Sequence, residues 1–405
     1  MDPFILMSLS MGAAGLFEQI KHERAIRAIP IRVHVNGTRG KSSVTRLIAA
    51  ALRGGGMKVL AKTTGSAARM ILPDGEEVPL VRRGPATILE YIPVLREAAR
   101  RHVDAAVIEC MAVRPEYQWF AQHRLIKATH LVITNTRQDH MSEMGSTEEE
   151  IARSLCTTVP QGGIVFTTER SNLTLIRQEA QRLGSAVLIP DDLGYPSGNS
   201  DVVRQLVQNL PYPEFEENIS LALAVARCLG IPEHDAVEGM MLVKPDPGAL
   251  KIIECDWPQM GVRSYFISAF AANDVQSAET VVRRVYEILG LDRLPLFGIL
   301  NCRSDRVDRT IQWMKAISQG RFRIFRGVIG IGPDSHRLKT LLPVSRREGR
   351  DLDILGNASA GMVMNVLQGK MASGGGAFGL GNISGIGMSL VNLWERMGRS
   401  LAWKP

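Results

Sequence analysis

Short apolar runs alternate along this chain with longer stretches in which apolar positions recur every three or four residues, and this predicts a regular succession of strands and helices. The first run, Val33-His34-Val35-Asn36, breaks into Gly37-Thr38-Arg39-Gly40-Lys41-Ser42-Ser43, after which Val44 to Leu52 follows a helical period. Further strands are predicted over Met57 to Lys62, Asp104 to Ile108, His130 to Asn135, Gly163 to Thr168 and Ser185 to Pro190. Helices are predicted over Ala86 to His102, Asn172 to Leu183 and Asn218 to Leu229, the last apolar enough to lie in a core. Residues 74–85 read as a hairpin or exposed loop. Residues 191–201, rich in Asp, Gly, Pro and Ser, read as a surface loop.

Lys244-Pro245-Asp246-Pro247-Gly248 interrupts the succession with linker chemistry. Beyond it the alternation resumes: a strand over Arg263 to Phe270, a helix from Ser277, a strand over Leu294 to Leu300, a helix from Asp305, a strand within Phe322 to Ile331, a helix over Asn357 to Gln368 and a last strand near Gly376. The fold class is therefore α/β: a P-loop domain with a mainly parallel sheet over residues 29–244, then a smaller doubly wound α/β domain over 245–405. Residues 1–28 form an N-terminal apolar and basic helix.

Composition narrows the class. The chain has 405 residues, 22% of them charged, enough for two or three domains with cores. Five scattered cysteines without a C-x-x-C pair point to a reducing compartment, with neither a disulfide framework nor structural zinc. The net charge is +7, and residues 1–60 hold nine Lys/Arg against three Asp/Glu. No long basic tract interleaved with aromatics appears, so nucleic acid is not expected as a partner. Pro3 to Phe17 is uncharged and mostly apolar, shorter than the roughly 20 residues of a membrane span, and Lys21, Arg24 and Arg27 follow it. Two readings stand: a membrane anchor with its basic flank on the cytoplasmic side, or a buried first helix.

The chemistry concentrates in a few places. Gly37 and Gly40 permit a sharp turn with N–H groups facing inward, the following helix adds its positive end, Lys41 supplies a full charge and Ser42 a hydroxyl ligand for Mg²⁺. Thr38, Arg39 and Ser43 complete this triphosphate cradle. Glu109 ends an apolar strand, where open α/β sheets place their ligands, and is a candidate Mg²⁺ ligand. Asn135 and the pair Asp139-His140 end the next strand, with His140 a candidate second ligand. Thr64 and Arg69 lie in a small, hydroxylated loop suited to an acidic substrate. In the second domain, Asn273-Asp274 and Asn301, Arg303, Asp305 and Arg306 gather at strand ends, whereas Arg309, one helical turn on, is expected to face solvent. The run Gly374 to Gly387 is not a dinucleotide fingerprint, because no acidic partner follows before the chain ends. Close backbone approach at an interdomain cleft, or a loop contacting partner subunits, is expected instead.

Gly37-Thr38-Arg39-Gly40-Lys41-Ser42, Glu109, and Asn135 with Asp139-His140 and Gly145 resemble, in order, the signatures of the Mur ligase superfamily of ATP-dependent amide-forming enzymes. A closer resemblance, to the poly-γ-glutamate synthase subunits of the PgsB/CapB family, is carried by Lys62-Thr63-Thr64-Gly65 with Ala68-Arg69-Met70-Ile71, by Glu109-Cys110-Met111-Ala112-Val113 and by Asp139-His140-Met141. It continues through Asp246-Pro247-Gly248-Ala249, Phe270-Ala271-Ala272-Asn273-Asp274, Asn301-Cys302-Arg303, Asp305 to Thr310 and Gly379 to Gly385. The resemblance implies a fold, cofactors and a reaction. ATP, with one or two Mg²⁺, would phosphorylate the terminal γ-carboxylate of poly-γ-glutamate, and an incoming glutamate amine would displace phosphate.

On that basis Lys41, Glu109, His140, Arg303 and Arg306 would be catalytic. Gly37 to Ser43, Asn273, Asn301, Arg303 and Asp305 would bind nucleotide, Ser42, Glu109 and His140 would hold metal, and Thr64 and Arg69 would meet the substrate. The implied setting is the cytoplasmic face of a bacterial membrane, as a homo-oligomer with CapC- and CapA-like membrane subunits of a capsule system. One position departs from the superfamily: where many members carry a carbamylated lysine assisting the second metal, this chain has Leu155, which leaves the metal count open between one and two. A second function class also stands, a P-loop ATPase that energises polymer export without forming the amide.

Overall fold

The computed structural model describes residues 3–401 apart from 66–67, 83, 213, 247, 258–261 and 273. It divides into two compact units, Met1–Asn209 with Glu214–Lys244, and Leu210–Pro213 with Pro245–Pro405. The first unit is built on β1 (Ile31–Asn36), β2 (Val59–Thr63), β3 (Arg69–Ile71), β4 (Glu77–Pro79), β5 (Ala105–Glu109), β6 (His130–Ile133), β7 (Ile164–Thr167) and β8 (Ala186–Leu188). They form one eight-stranded sheet in the order β4-β3-β2-β5-β1-β6-β7-β8. Strands β2, β5, β1, β6, β7 and β8 run parallel, and β3 and β4 add an antiparallel hairpin at one edge. Strands covered on both faces read as continuous apolar runs, and Ala105 to Ile108 and Leu131 to Ile133 are buried throughout.

The register decides where function can lie. Val35 pairs with Glu109 on one side and Val132 on the other, so the segments leaving β1, β5 and β6 emerge together at the carboxyl edge. Helix α2 (Lys41–Gly54) packs on β2 and β5 and against the helix Glu216–Cys228, whose residues 218–226 are buried. Helix α3 (Tyr91–Arg100), preceded by a short 3₁₀ turn, covers another part of the sheet, with Tyr91, Val94 and Leu95 packed among Leu60, Ala106 and Ile108.

Helix α1 (Pro3–Arg27) is 25 residues long, and among the described residues it is the one helix long and apolar enough to cross a membrane. Residues 3–5 and 7–21 are exposed, while His22, Ala25 and Ile26 pack against the unit. The buried-helix reading thus holds for the last turns only. All five cysteines are free thiols.

The second unit has a seven-stranded sheet. Its strands are β9 (Lys251–Trp257), β10 (Val262–Ser268), β11 (Leu296–Asn301), β12 (Gly327–Ile331), β13 (Asp351–Gly356), β14 (Gly375–Leu380) and β15 (Arg399–Leu401), in the order β13-β12-β11-β14-β10-β9-β15. Strands β13 through β10 in that order are parallel, and β9 and β15 close one side antiparallel. The sequence pattern does not reveal β9, β13 or β15. β13, with exposed or half-buried positions throughout, lies at the sheet edge and lacks an apolar run.

One further expectation changes in this unit. Arg309 is 8% exposed rather than solvent-facing, because the helix Val307–Ser318 turns it with Thr310 and Trp313 toward the sheet. Two glycines at the end of β14 are required by close packing within the unit: a Cβ on Gly379 would strike the ring of Phe270, and one on Gly381, just past the strand at φ +90°, would press on the Asn301 carbonyl oxygen at 2.8 Å.

Candidate active site

The loop between β1 and α2 is shaped from both ends. Asn36, the last residue of β1, accepts the Gly37 N–H on its side-chain oxygen at 2.8 Å, and its amide donates to Gln118 at 2.8 Å and Thr158 at 3.2 Å. Gly37 sits at φ +126° and Gly40 at φ +79°, both in the region that favours glycine. A Cβ on Gly37 would collide with the Thr134 hydroxyl, and one on Gly40 would lie 2.6 Å from the side-chain oxygen of Asn218.

The segment after β6 fastens the loop from the side. The Thr38 hydroxyl donates to the Asn135 side chain at 2.7 Å, and Thr38 N–H donates to the Asn135 carbonyl at 3.1 Å. The Arg39 carbonyl accepts from the Thr134 hydroxyl at 2.5 Å and the Asn135 amide at 3.2 Å. Lys41 lies over the loop, its Nζ 2.7 Å from the Gly37 carbonyl oxygen and 3.4 Å from that of Thr38.

Glu109 stands beside this loop. It is 2% exposed, and its Oε2 accepts the Ser42 hydroxyl at 2.9 Å and the Thr64 backbone N–H at 2.5 Å. One carboxylate therefore joins the start of α2 to the end of β2. The strand end is held by Tyr91, whose hydroxyl donates to the Glu109 carbonyl at 3.2 Å and accepts the Met111 N–H at 2.7 Å. Behind it, the fully buried Lys62 lies 4.9 Å over the Tyr91 ring and 3.5 Å from Glu90, which pairs bidentately with Arg82. Burial pulls the Lys62 ammonium below its ordinary pKa, against the attraction of Glu90 and Glu109.

Across the loop, Asp139 is 6% exposed and sits 3.4 Å from Arg39 and 3.8 Å from His140 Nε2. His140 adopts a left-handed conformation, φ +48°, at the start of a short helix. Leu155, in the helix Glu148–Cys156, is fully buried with Leu131, Ile133 and Ile151, so its position serves the core. Among the described residues no three His, Cys, Asp or Glu side chains cluster as a metal site. The convergent oxygens of Ser42 and Glu109 are nonetheless the donors a hard cation takes when phosphate oxygens and water complete its shell.

The structure thus brings Gly37 to Ser43, Glu109 and Thr64 together, with Asp139 and His140 on the other flank. Thr64 contributes its backbone N–H to Glu109, and Arg69 lies at the start of β3, paired with Thr63 and Pro79 in the hairpin. In the second unit, Asn301 ends β11 and its amide donates to the carbonyls of Asn382 at 2.6 Å and Ser384 at 3.0 Å, which fixes the glycine-rich loop. Arg303 is bidentate to Asp305 at 2.7 and 2.6 Å, and this guanidinium lowers the Asp305 pKa. Arg306 immediately precedes the helix Val307–Ser318. Asn273 lies outside the described residues. Sequence reading misses Asn36, Tyr91 and Asn218. An asparagine closing an apolar strand before a glycine was a usable signal for the first, whereas the other two reach the site only through tertiary packing.

Comparison with known proteins agrees with this geometry. Residues 35–189 match the Mur ligase middle domain, and residues 257–397 match the poly-gamma-glutamate synthase CapB C-terminal domain. The chain is 40% identical over 301 residues to PGA synthase CapB of Bacillus subtilis strain 168, covering 74% of each. It is also 40% identical over 306 residues to the capsule biosynthesis protein CapB of Bacillus anthracis, covering 75% of this chain and 64% of that protein. Its fold is similar to the folylpolyglutamate synthase of Mycobacterium tuberculosis solved with ADP and AMPPCP, at a TM-score of 0.66 and 16% identity over 93% of each chain. A P-loop on β1, an acid at the end of β5 and these matches agree: the chain belongs to the CapB family of poly-γ-glutamate synthases, built on a Mur ligase middle domain.

Proposed function

We propose that this protein is an ATP-dependent, ADP-forming carboxylate–amine ligase that extends poly-γ-glutamate. The observation that carries the reading is the joining of Ser42 and Thr64 by the Glu109 carboxylate beside a cradle that ends in Lys41. Carboxylate and amine do not condense unaided, because hydroxide is a poor leaving group. Transfer of the ATP γ-phosphoryl group to an oxygen of the terminal γ-carboxylate breaks the bond to ADP and forms an acyl phosphate. The glutamate amine then forms the C–N bond, loses its proton, and phosphate departs with that oxygen.

The chain's residues supply position and charge. The N–H groups of the loop beyond Thr38, up to Ser43, and the Lys41 ammonium hold the β- and γ-phosphates, while the N–H groups of Gly37 and Thr38 are taken up by Asn36 and Asn135, which keep the loop in place. Ser42 and Glu109 would hold Mg²⁺, which supplies charge neutralisation on the phosphates. His140, with Asp139 3.8 Å from its Nε2, is assigned to the acyl-phosphate side, where a second cation would have those two side chains and no lysine carbamate. Arg69 is assigned to the acidic polymer, and Arg303 and Arg306 to anionic groups of the reactants. Asn301 and Asp305 hold the loop and the arginine in place. The setting proposed is the cytoplasmic face of the membrane, anchored through α1, among copies of itself and CapC- and CapA-like membrane subunits.

Full-length protein supplied with ATP, Mg²⁺, glutamate and a short γ-glutamyl primer should release ADP and phosphate as the primer lengthens. ATP turnover indifferent to the primer would instead support an ATPase that energises export. His140→Ala should bind nucleotide like the wild type and form no product.

A further inference from the structure

A carboxyl group behind the nucleotide loop has no part in the chemistry above. Glu214, which precedes the helix Glu216–Cys228, is 4% exposed. Its Oε1 accepts the Asn218 side-chain amide at 2.7 Å and the Phe215 N–H at 2.9 Å, while Oε2 is buried without a well-formed hydrogen bond. Among the described residues no cation pairs with it, and Glu217 is the charged group that acts on it. Burial raises its pKa, against the hydrogen bonds from Asn218 and Phe215 and the nearby Ser43 hydroxyl. A buried acid without a counter-ion is costly to keep unless its geometry is used.

The use is visible one contact further on. Asn218 is 6% exposed and lies directly on Gly40: a Cβ there would be 2.6 Å from Oδ1, 3.1 Å from Nδ2 and 3.2 Å from Cγ. Gly40 is the left-handed residue from which α2 begins, so its orientation sets the direction of the N–H groups at Lys41 to Ser43. An Asn side chain has two long faces and can flip or swing. A carboxyl oxygen on its NH₂ fixes which face meets the loop.

We propose that Glu214 is a positioning residue for the nucleotide loop, clamping the Asn218 amide against Gly40 so that the start of α2 is held in its phosphate-binding conformation. The proposal rests on the reading of this loop as the ATP site. Its well-formed side-chain contact is Asn218, with the Ser43 hydroxyl of the same loop nearby, and this makes its action on the loop separable from a general contribution to stability.

The test is a binding experiment on full-length protein with the fluorescent probe mant-ADP and Mg²⁺, at a temperature where every variant is folded by circular dichroism. Glu214→Ala should weaken the probe about tenfold, whereas Glu214→Gln, which keeps an oxygen for the Asn218 amide, should stay within about twofold of the wild type. Asn218→Ala should weaken binding at least as much, and Glu214→Ala added to it should cost clearly less than it does alone, because contacts in one chain of action are not additive. If Glu214→Ala does not fold, Glu214→Asp, shorter by one methylene, takes its place with the same expectation. Wild-type affinity in Glu214→Ala or its substitute, a Gln variant as weak as Ala, or additive losses with Asn218→Ala would overturn the proposal. Failure of the wild type itself to bind mant-ADP would instead overturn the ATP reading.

Discussion

Lys41 lies over the carbonyls of Gly37 and Thr38, and it is the full positive charge at the mouth of the loop. Removing a pre-placed charge of this kind costs about 10²–10³-fold in turnover, so Lys41→Ala should lose that much primer-dependent ADP release while its melting temperature stays near that of the wild type. A loss under tenfold would contradict the role.

A second residue-scale prediction concerns His34, fully buried on β1 with Nδ1 2.9 Å from Gln122. Burial pushes its pKa down to about 4, against about 6.5 in an unfolded chain. The unfolded chain therefore takes up the proton first as pH falls. Stability is complete above about pH 6.5 and declines toward pH 4, by roughly 3 kcal/mol for this residue. His22, also lowered chiefly by burial, acts in the same direction. Denaturant titrations at stepped pH should show this slope, reduced in His34→Gln. An unchanged slope in the variant would remove His34 as its source.

Glu109 was legible at this scale because an acid ended an otherwise apolar run. Glu214 was not: in Pro213-Glu214-Phe215-Glu216-Glu217 it reads as one surface acid among three, and only the packing of the following helix buries it. Arg309 was misjudged for the same kind of reason, since helical spacing fixes a face but not what covers it.

At the scale of elements, the strands with strong apolar runs were legible and those at sheet edges were not. β5 and β6 declare themselves, while β13 is polar and edge-bound. The helix Glu148–Cys156 carries a full capping box between Thr147 and Glu150. Thr147→Ala should cost about 1 kcal/mol of stability, measurable by denaturant unfolding. No change would mean that the helix is held by its core face alone, through Ile151 and Leu155.

Helix α1 poses the other element-scale question. Its low amphipathicity leaves apolar side chains on all sides, with Phe4, Met11 and Phe17 each 65% exposed or more. Such a helix is compatible with a membrane anchor; its uncharged part, Pro3 to Phe17, at about 1.5 Å per residue is shorter than the hydrocarbon thickness, and the turn from His22 to Ile26 packs against the unit. Deleting residues 1–20 should move the protein from the membrane to the soluble fraction and leave mant-ADP affinity unchanged. Membrane recovery of the shortened chain would contradict the anchor.

Over the whole molecule, the charge divides unevenly between the two units. Residues 245–405 carry 21 Lys/Arg against 14 Asp/Glu, an excess of seven, while residues 1–244 carry 27 of each. The local excess near the P-loop is thus cancelled within its own unit, and the net charge of the chain belongs to the second. A basic unit attracts a polyanion at a range set by salt. The apparent KM for long γ-glutamyl primers should rise steeply with NaCl and that for free glutamate much less; equal dependence would disconnect the charge from the polymer.

The central claim is that the phosphate cradled at Gly37 to Ser43 passes to a carboxylate rather than to water. Primer labelled with ¹⁸O in its terminal γ-carboxylate tests this directly, by mass spectrometry of the phosphate released. One labelled oxygen in the phosphate for each bond formed is the predicted result, and phosphate free of label alongside primer extension would contradict it.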